Sequence, residues 1–254
     1  MPLWQNAPDN MPRFFVDKDS IGECEVVLTG GDAFHIARSL RMAVGDEITV
    51  SDGEGGEYSC RLSRIRDEEC VAEILTRGRA SSESPVKISL YMAYPKSDKL
   101  ELVIQKAVEL GVFEIIPFES SRCIKRPKAE KIEKQTARLA RIAEEAAKQC
   151  GRGILPRVGE PISFSEMLRR AGEAECPIFC YEGDGARSMK DVLSENSDKQ
   201  SFSVIVGSEG GFSPEEASAA IAAGLNSVNL GPRILRCETA PMYALSAISY
   251  FFEL

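Results

Sequence analysis

The rhythm of hydrophobic and polar positions changes once along this chain, near residue 85. Before it, apolar and polar residues alternate in short runs at 24–28, 47–50, 58–65 and 71–75. A period of two marks a strand with one buried face. Gly-Gly, Gly-Asp and Asp-Gly-Glu-Gly-Gly separate the runs and supply turns. The stretch 33–41 breaks the alternation and reads as helical. The pattern predicts a small β-barrel or sandwich over residues 13–78, after a tail at 1–12. Residues 79–85, RASSESP, are small and polar and read as a linker.

Beyond the linker the period lengthens. A buried strand is expected at 86–93. Asp98 with Glu101 three residues on has the form of a capping box. Leu100, Val103, Ile104, Ala107 and Val108 then fall on one helical face, and Gly111 ends the helix. Further strands are expected at 112–118, 178–181, 202–206 and 228–230. A long basic helix is expected at 129–149, turning Ile132, Leu139, Ile142, Ala143 and Ala146 inward. Ser213 and Glu216 form a second capping pair, and an apolar helix closes the chain at 239–252. Strands alternating with helices predict an α/β domain with a mostly parallel sheet over 86–254.

Composition narrows the picture. Hydrophobic residues make up 43% of the 254, enough for two modest cores. No apolar run reaches the roughly 20 residues of a membrane span. The N-terminus, which holds the only tryptophan at Trp4, lacks the pattern of a secretory signal, so a cytoplasmic protein is expected. The eight cysteines include no CxxC pair and the only histidine is His35, so no metal site is expected. The cysteines read as reduced packing thiols and His35 as structural. The net charge of −8 is uneven. Residues 120–157 hold eleven Lys/Arg against four acids, a local +7 that leaves −15 on the remaining 216 residues. Residues 13–78 hold eight basic and fourteen acidic residues. A polyanion, if bound, is expected on the 120–157 segment.

In a parallel α/β sheet, ligands bind beyond the carboxyl ends of the strands. Three loops leave such ends: 182–188, 207–212 and 231–241. The middle one, in VIVGSEGGFSPEE, has neither the GxGxxG order of a dinucleotide site nor the GK[ST] of a P-loop. Its Glu209 either favours a cationic ligand or caps a neighbouring turn. S-adenosylmethionine, with adenine, ribose and sulfonium but no phosphate, suits such loops.

The third loop, LGPRILRCETA, resembles the last motif of the SPOUT methyltransferase superfamily. With MPRFF, HIARSLRMAVGDEI, YPKSDKLELVIQKAVELGV, KQCGR and VGSEGGFSPEE in order from about 11 to 254, the chain resembles the RsmE family, which methylates uridine N3 in 16S rRNA. The resemblance implies a PUA-like RNA-binding barrel followed by a trefoil-knotted α/β domain, a rare exception to unthreaded topology. It implies a homodimer acting on the small ribosomal subunit. It also implies S-adenosylmethionine held by Tyr181, Glu182, Gly207, Glu209, Gly210, Leu230, Gly231, Leu235, Arg236, Thr239 and Ala240. The chain departs from the family pattern at Ser208, Lys148, Cys237 and Pro241.

Uridine N3 carries a proton, so transfer needs proton loss and positive charge near O2 or O4. Arg236 and Arg233 are the candidates for that charge, and no side chain stands out as a general base. Glu238 reads as the acid at a helix N-terminus. Lys96 and Lys99 read equally as helix-capping or RNA-contacting residues. Arg13, Arg38, Arg41, Arg122, Lys125, Arg126, Gln149 and Arg152 are the candidate RNA contacts. A ribose 2′-O-methyltransferase, a nonenzymatic RNA-binding protein and a nicotinamide oxidoreductase are the competing readings.

Overall fold

The computed structural model describes residues 11–96, 98–124, 126–127, 129–183 and 185–254. Trp4 and Lys125 therefore lie outside the described residues. The chain divides into two compact units, one made of residues up to 83 with 147–155, the other of 84–146 with 156–254.

The first unit is built on five strands: β1 (Arg13–Phe15), β2 (Glu25–Thr29), β3 (Glu47–Ser51), β4 (Gly56–Ile65) and β5 (Glu69–Arg79), in the order β1-β3-β4-β5-β2. Only β1–β3 is parallel. Alternation does its expected work: Val26, Leu28, Ile48, Val50 and Leu62 are buried with Phe14 and Ile36. Register shifts at Ser59/Cys60 and Leu62/Arg64 bend β4 against β5 and curl the sheet. The expected barrel is not closed, since β1 and β2 are opposite edges with no pairing between them among the described residues. The expected helix at 33–41 is two pieces, α1 (Gly30–Phe34) and a π-helical turn at His35–Ser39. Arg41 follows at φ +52°, the one positive φ outside glycine among the described residues. His35 stands edge-on to Phe14, ring centres 6.3 Å apart.

Residues 147–155, which sequence placed in the second domain, belong here. Arg152 is only 4% exposed and donates to Glu83 at 2.7–3.2 Å. Glu83 also accepts from the N–H groups of Gly153 and Ile154 at 2.8 and 3.0 Å. Lys148 reaches Asp32 at 3.3 Å. The polar stretch read as a linker thus anchors a return of the chain.

The second unit runs β6 (Lys87–Ala93), α2 (Lys99–Glu109), β7 (Glu114–Glu119), α3 (Ile132–Cys150), β8 (Arg157–Val158), β9 (Ile162–Ser163), α4 (Phe164–Ala171), β10 (Cys176–Cys180), β11 (Arg187–Ser188), α5 (Met189–Glu195), β12 (Ser201–Val206), α6 (Pro214–Ala222), β13 (Asn226–Asn229) and α7 (Thr239–Glu253). The last turn of α3 passes to the first unit. The sheet order is β11-β13-β10-β12-β6-β7-β8, with β9 also on β7, and every pair is parallel. Central β6 and β12 are covered on both faces, as Ile88, Leu90, Met92, Val204 and Ile205 are fully buried.

Helix ends show which sequence signals operate. Ser213 and Glu216 make the full capping box on α6. Asp98 makes no side-chain cap on α2, and the Glu101 side chain pairs with Arg138 at 3.0 Å. Among the described residues no helix is long and apolar enough to cross a membrane.

Candidate active site

All strands of the second sheet run the same way, so β10, β12 and β13 end on one edge. Their three following loops wall a cavity of about 650 Å³. It is lined by Tyr181, Glu182, Gly207, Glu209, Gly210, Leu230, Gly231, Leu235, Arg236 and Ala240 of the expected cofactor set, and by Arg233. Thr239, the first residue of α7, is exposed and not among the lining residues.

The loop after β12 is a tight turn, closed by the Gly211 N–H on the Ser208 carbonyl at 2.9 Å with Gly211 at φ +63°. Gly207 is tightly enclosed: a Cβ there would come within 3.1 Å of both the Gly211 backbone and the Phe212 ring, and one of them would have to give way. Phe212 is fixed in turn, packed against Phe179 at 4.5 Å and stacked on Phe118 at 6.3 Å. On the opposite wall, Gly231 takes φ +99° and its N–H reaches the Asn229 side chain at 3.3 Å. Asn229 also donates to the Ala186 carbonyl at 3.2 Å, tying this wall to the loop after Tyr181. The Tyr181 ring packs on Phe179 at 5.7 Å. Arg236 contributes its carbonyl to the start of α7, accepting from Thr239 and Ala240 at 2.8 and 2.9 Å, while its side chain lies on the exposed, cavity-lining turn.

Glu209 settles the question its sequence raised. Its carboxylate accepts from the Lys96 N–H at 3.1 and 3.3 Å and pairs with Lys99 at 3.2 Å. Burial pushes its pKa up, but hydrogen bonds from its own N–H, Lys96 and Lys99 hold it below the usual range. Lys99 also pairs with Glu238 at 3.0 Å and lies 3.8 Å from Cys237. Glu238 is thus more than the helix-end acid read from sequence, and it makes no side-chain cap. The Lys99 ammonium is raised above its ordinary value by hydrogen bonds to Glu238, then Glu209. Burial, then the bond to Glu238, pushes the Cys237 thiol up to about 12, and burial does the same for Cys180. Neither thiol is a nucleophile at neutral pH.

Sequence reasoning missed Lys99 as a wall of the cavity. A signal was present: a cation at the first position of a helix faces the positive end of the macrodipole, so its reason lies elsewhere. Arg122 was expected on RNA, yet it lines the cavity. Its guanidinium donates to the Gly210 carbonyl at 3.0 Å, and its own carbonyl accepts from Ser208 at 3.4 Å. The Ser121 N–H reaches the capping carboxylate of Glu216 at 2.6 Å, which sets this basic loop beside the glycine turn.

The other candidate RNA contacts divide by what holds them. Arg13 donates to Ser51 and Glu57, both at 2.7 Å, and Arg38 is forked on Asp67. Arg152 is buried on Glu83. Arg41 and Gln149 are exposed, and Arg126 stands 3.9 Å from Glu119. Among the described residues no group of three or more His, Cys, Asp or Glu is placed to hold a metal ion.

Comparison with known proteins gives this architecture its class. Residues 82–249 match the RNA methyltransferase domain, and residues 28–75 match the RNA methyltransferase PUA domain. The protein is an RNA methyltransferase with a PUA module ahead of its catalytic domain. It is 34% identical over 251 residues to ribosomal RNA small subunit methyltransferase E of Bacillus subtilis (strain 168), covering 96% of this chain and 98% of that one. The enzyme of the same name from Aquifex aeolicus is 32% identical, covering 89% and 94%. A crystal structure of the Neisseria gonorrhoeae enzyme bound to S-adenosyl methionine superposes with a TM-score of 0.85 at 31% identity, covering 96% and 98%. The chain belongs to the ribosomal RNA small subunit methyltransferase E family.

Proposed function

We propose that the protein methylates N3 of a uridine in 16S rRNA of the small ribosomal subunit, using S-adenosylmethionine and acting as a cytoplasmic homodimer. One observation carries the reading: a single cavity joins a glycine cradle to three arginines. Gly207 and Gly210 leave the backbone open at one wall, where a Cβ would strike Gly211, Phe212 or Arg122. The volume suits a nucleoside with an amino-acid tail. Cofactor contacts are assigned to Tyr181, Glu182, Gly207, Glu209, Gly210, Leu230, Gly231, Leu235, Arg236 and Ala240. Thr239 keeps its place in that set through its position beside Ala240.

S-adenosylmethionine supplies an electrophilic methyl on a sulfonium. The chain's own residues hold the acceptor in line with it and stabilise its charge. Held by the glycine turn and the 230–240 loop, the cofactor would give that methyl to N3 and depart as S-adenosylhomocysteine, the N3 proton passing to solvent. Arg236 and Arg233 face the developing negative charge on the uracil carbonyls, since arginine stays protonated and acts as a fixed cation. Arg122 and Arg126 guide the RNA toward that point.

Exposed apolar residues support the dimer. Tyr243, Tyr250 and Phe251 of α7 and Leu254 just beyond it are exposed, with Ile234 84% exposed nearby in sequence. A knot is supported by the path of 230–238, which leaves β13 beyond β10 and returns to α7, packed on β12 and α2.

Calorimetric titration of S-adenosylmethionine, with NAD as control, tests the cofactor. Incubation with unmethylated small subunits, with the methyl mapped to base or sugar, tests the acceptor. A methyl on a ribose 2′-oxygen sinks the N3 assignment, and binding without transfer favours a nonenzymatic RNA-binding role.

A further inference from the structure

Among the described residues, the Lys99 ammonium is the cation that pairs with a carboxylate on each long wall of the cavity. Its Nζ lies 3.2 Å from Glu209 on the glycine turn after β12, and 3.0 Å from Glu238 at the foot of α7. Cys237 Sγ stands 3.8 Å away. Glu209 is further held by the Lys96 N–H, so the segment after β6 joins the same knot of contacts. An ammonium has three donors in a tetrahedral arrangement and can serve three acceptors from different segments. The position is poor for helix stability, because Lys99 opens α2 at the positive end of its dipole. Among the described residues neither carboxylate pairs with another cation, and without Lys99 two negative charges would face each other across the cavity wall.

We propose that Lys99 is a positioning residue that fixes the spacing between the glycine turn and the 230–238 turn, and so sets the affinity for S-adenosylmethionine. The inference rests on the cofactor reading given above. Lys99 acts through Glu209 and Glu238, which shape the two walls, and not by touching the reacting atoms. Spacing matters because misplacement of a bound reactant by about 1 Å costs on the order of a hundredfold in rate.

The test is calorimetric titration of S-adenosylmethionine into purified full-length protein for wild type, Lys99→Met, Glu238→Gln and the double variant. Melting temperature and the two KM values are measured alongside. Lys99→Met is expected to weaken cofactor binding about tenfold or more. Glu238→Gln should weaken it in the same direction, and the double variant should bind no worse than Lys99→Met alone, since both act through one bridge. KM for S-adenosylmethionine should rise while KM for small subunits stays within about twofold. Two losses that simply add would overturn the bridge, because they mean independent contacts. Affinity of Lys99→Met within twofold of wild type would overturn it too. So would parallel loss of both KM values with a large fall in melting temperature, which marks general unfolding. If wild type itself does not bind S-adenosylmethionine, the cofactor reading fails first, and the comparison of variants is not reached.

Discussion

Replacing Arg152 by alanine separates a structural from an RNA-binding role for a residue that sequence placed on RNA. Arg152 is 4% exposed and its partner Glu83 side chain 14% exposed, with guanidinium nitrogens 2.7–3.2 Å from the carboxylate. Removing one member of a buried pair leaves the other charged and unsolvated, at a cost of about 3–5 kcal/mol. Domains of this size hold only about 5–15 kcal/mol in total. The first unit should therefore lose about a fifth or more of its stability, and its melting should drop by more than about 10 °C. Hydrogen exchange over β4 and β5 reads this unit alone. The double variant Arg152→Met/Glu83→Gln should recover part of the loss, because it buries no charge and keeps an acceptor for the Gly153 and Ile154 N–H groups. Acid provides a second check. Burial raises the Glu83 carboxyl, but Arg152 and the N–H groups of Gly153 and Ile154 outweigh it and hold the pKa below the ordinary 4.5. A depressed folded pKa means stability present above 4.5 and lost as pH falls through the folded value. That loss should be absent from the double variant. Unchanged exchange in Arg152→Ala, together with weaker binding to small subunits, would refute the structural assignment and return Arg152 to the RNA.

Three further outcomes follow from the cavity. Arg233→Ala should lower kcat by about a hundredfold to a thousandfold, as loss of a fixed charge at a developing anion does, with cofactor affinity by calorimetry nearly unchanged; Arg236→Ala should lower kcat in the same sense and weaken cofactor binding as well. Gly207→Ala should abolish measurable binding of S-adenosylmethionine while small subunits still bind, since the new Cβ meets backbone and ring at 3.1 Å. Charge reversal at Arg122 and Arg126 should weaken affinity for rRNA and flatten its salt dependence by roughly 0.7–0.9 in log–log slope per lost phosphate contact, whereas reversal at Arg13 should mainly destabilise β1, whose arginine is tied to Ser51 and Glu57.

Periodicity carried the larger elements and failed on the short ones. The apolar spacing of α2 and the β-branched runs of β6 and β12 lie open in the sequence, because burial on one or both faces dictates them. Strands β8, β9 and β11 span two residues each and β1 three, too few to show a period. Helices α4 and α5, at eight and seven residues, were passed over although Ser163 and Ser188 cap them. Motif spacing was a better guide to the cavity, since glycines at 207, 210 and 231 answer to backbone geometry that sequence records directly.

Side-chain partners were the least legible, since charge composition does not say which charges meet. Arg13, Arg38 and Arg41 read as the RNA contacts of 13–78, yet Arg13 and Arg38, like Arg61 and Arg64, are each matched by an acid of the same unit. The acidity of that unit is thus partly the counter-charge of its own arginines, and Arg41 is the candidate there that remains exposed with a strained backbone. The same logic governs the cavity. Glu209 read as either a charge aimed at a ligand or a cap on a turn, and Lys99 as either a helix cap or an RNA contact. In the structure Lys99 pairs with both Glu209 and Glu238, which links the glycine turn to the foot of α7. Among the described residues the cavity lining also carries Arg122, Arg233 and Arg236. Under the proposed function, recognition of the acceptor and stabilisation of its charge would fall to the same few side chains. Substitutions there should change kcat and KM for small subunits together, while Lys99→Met changes KM for the cofactor.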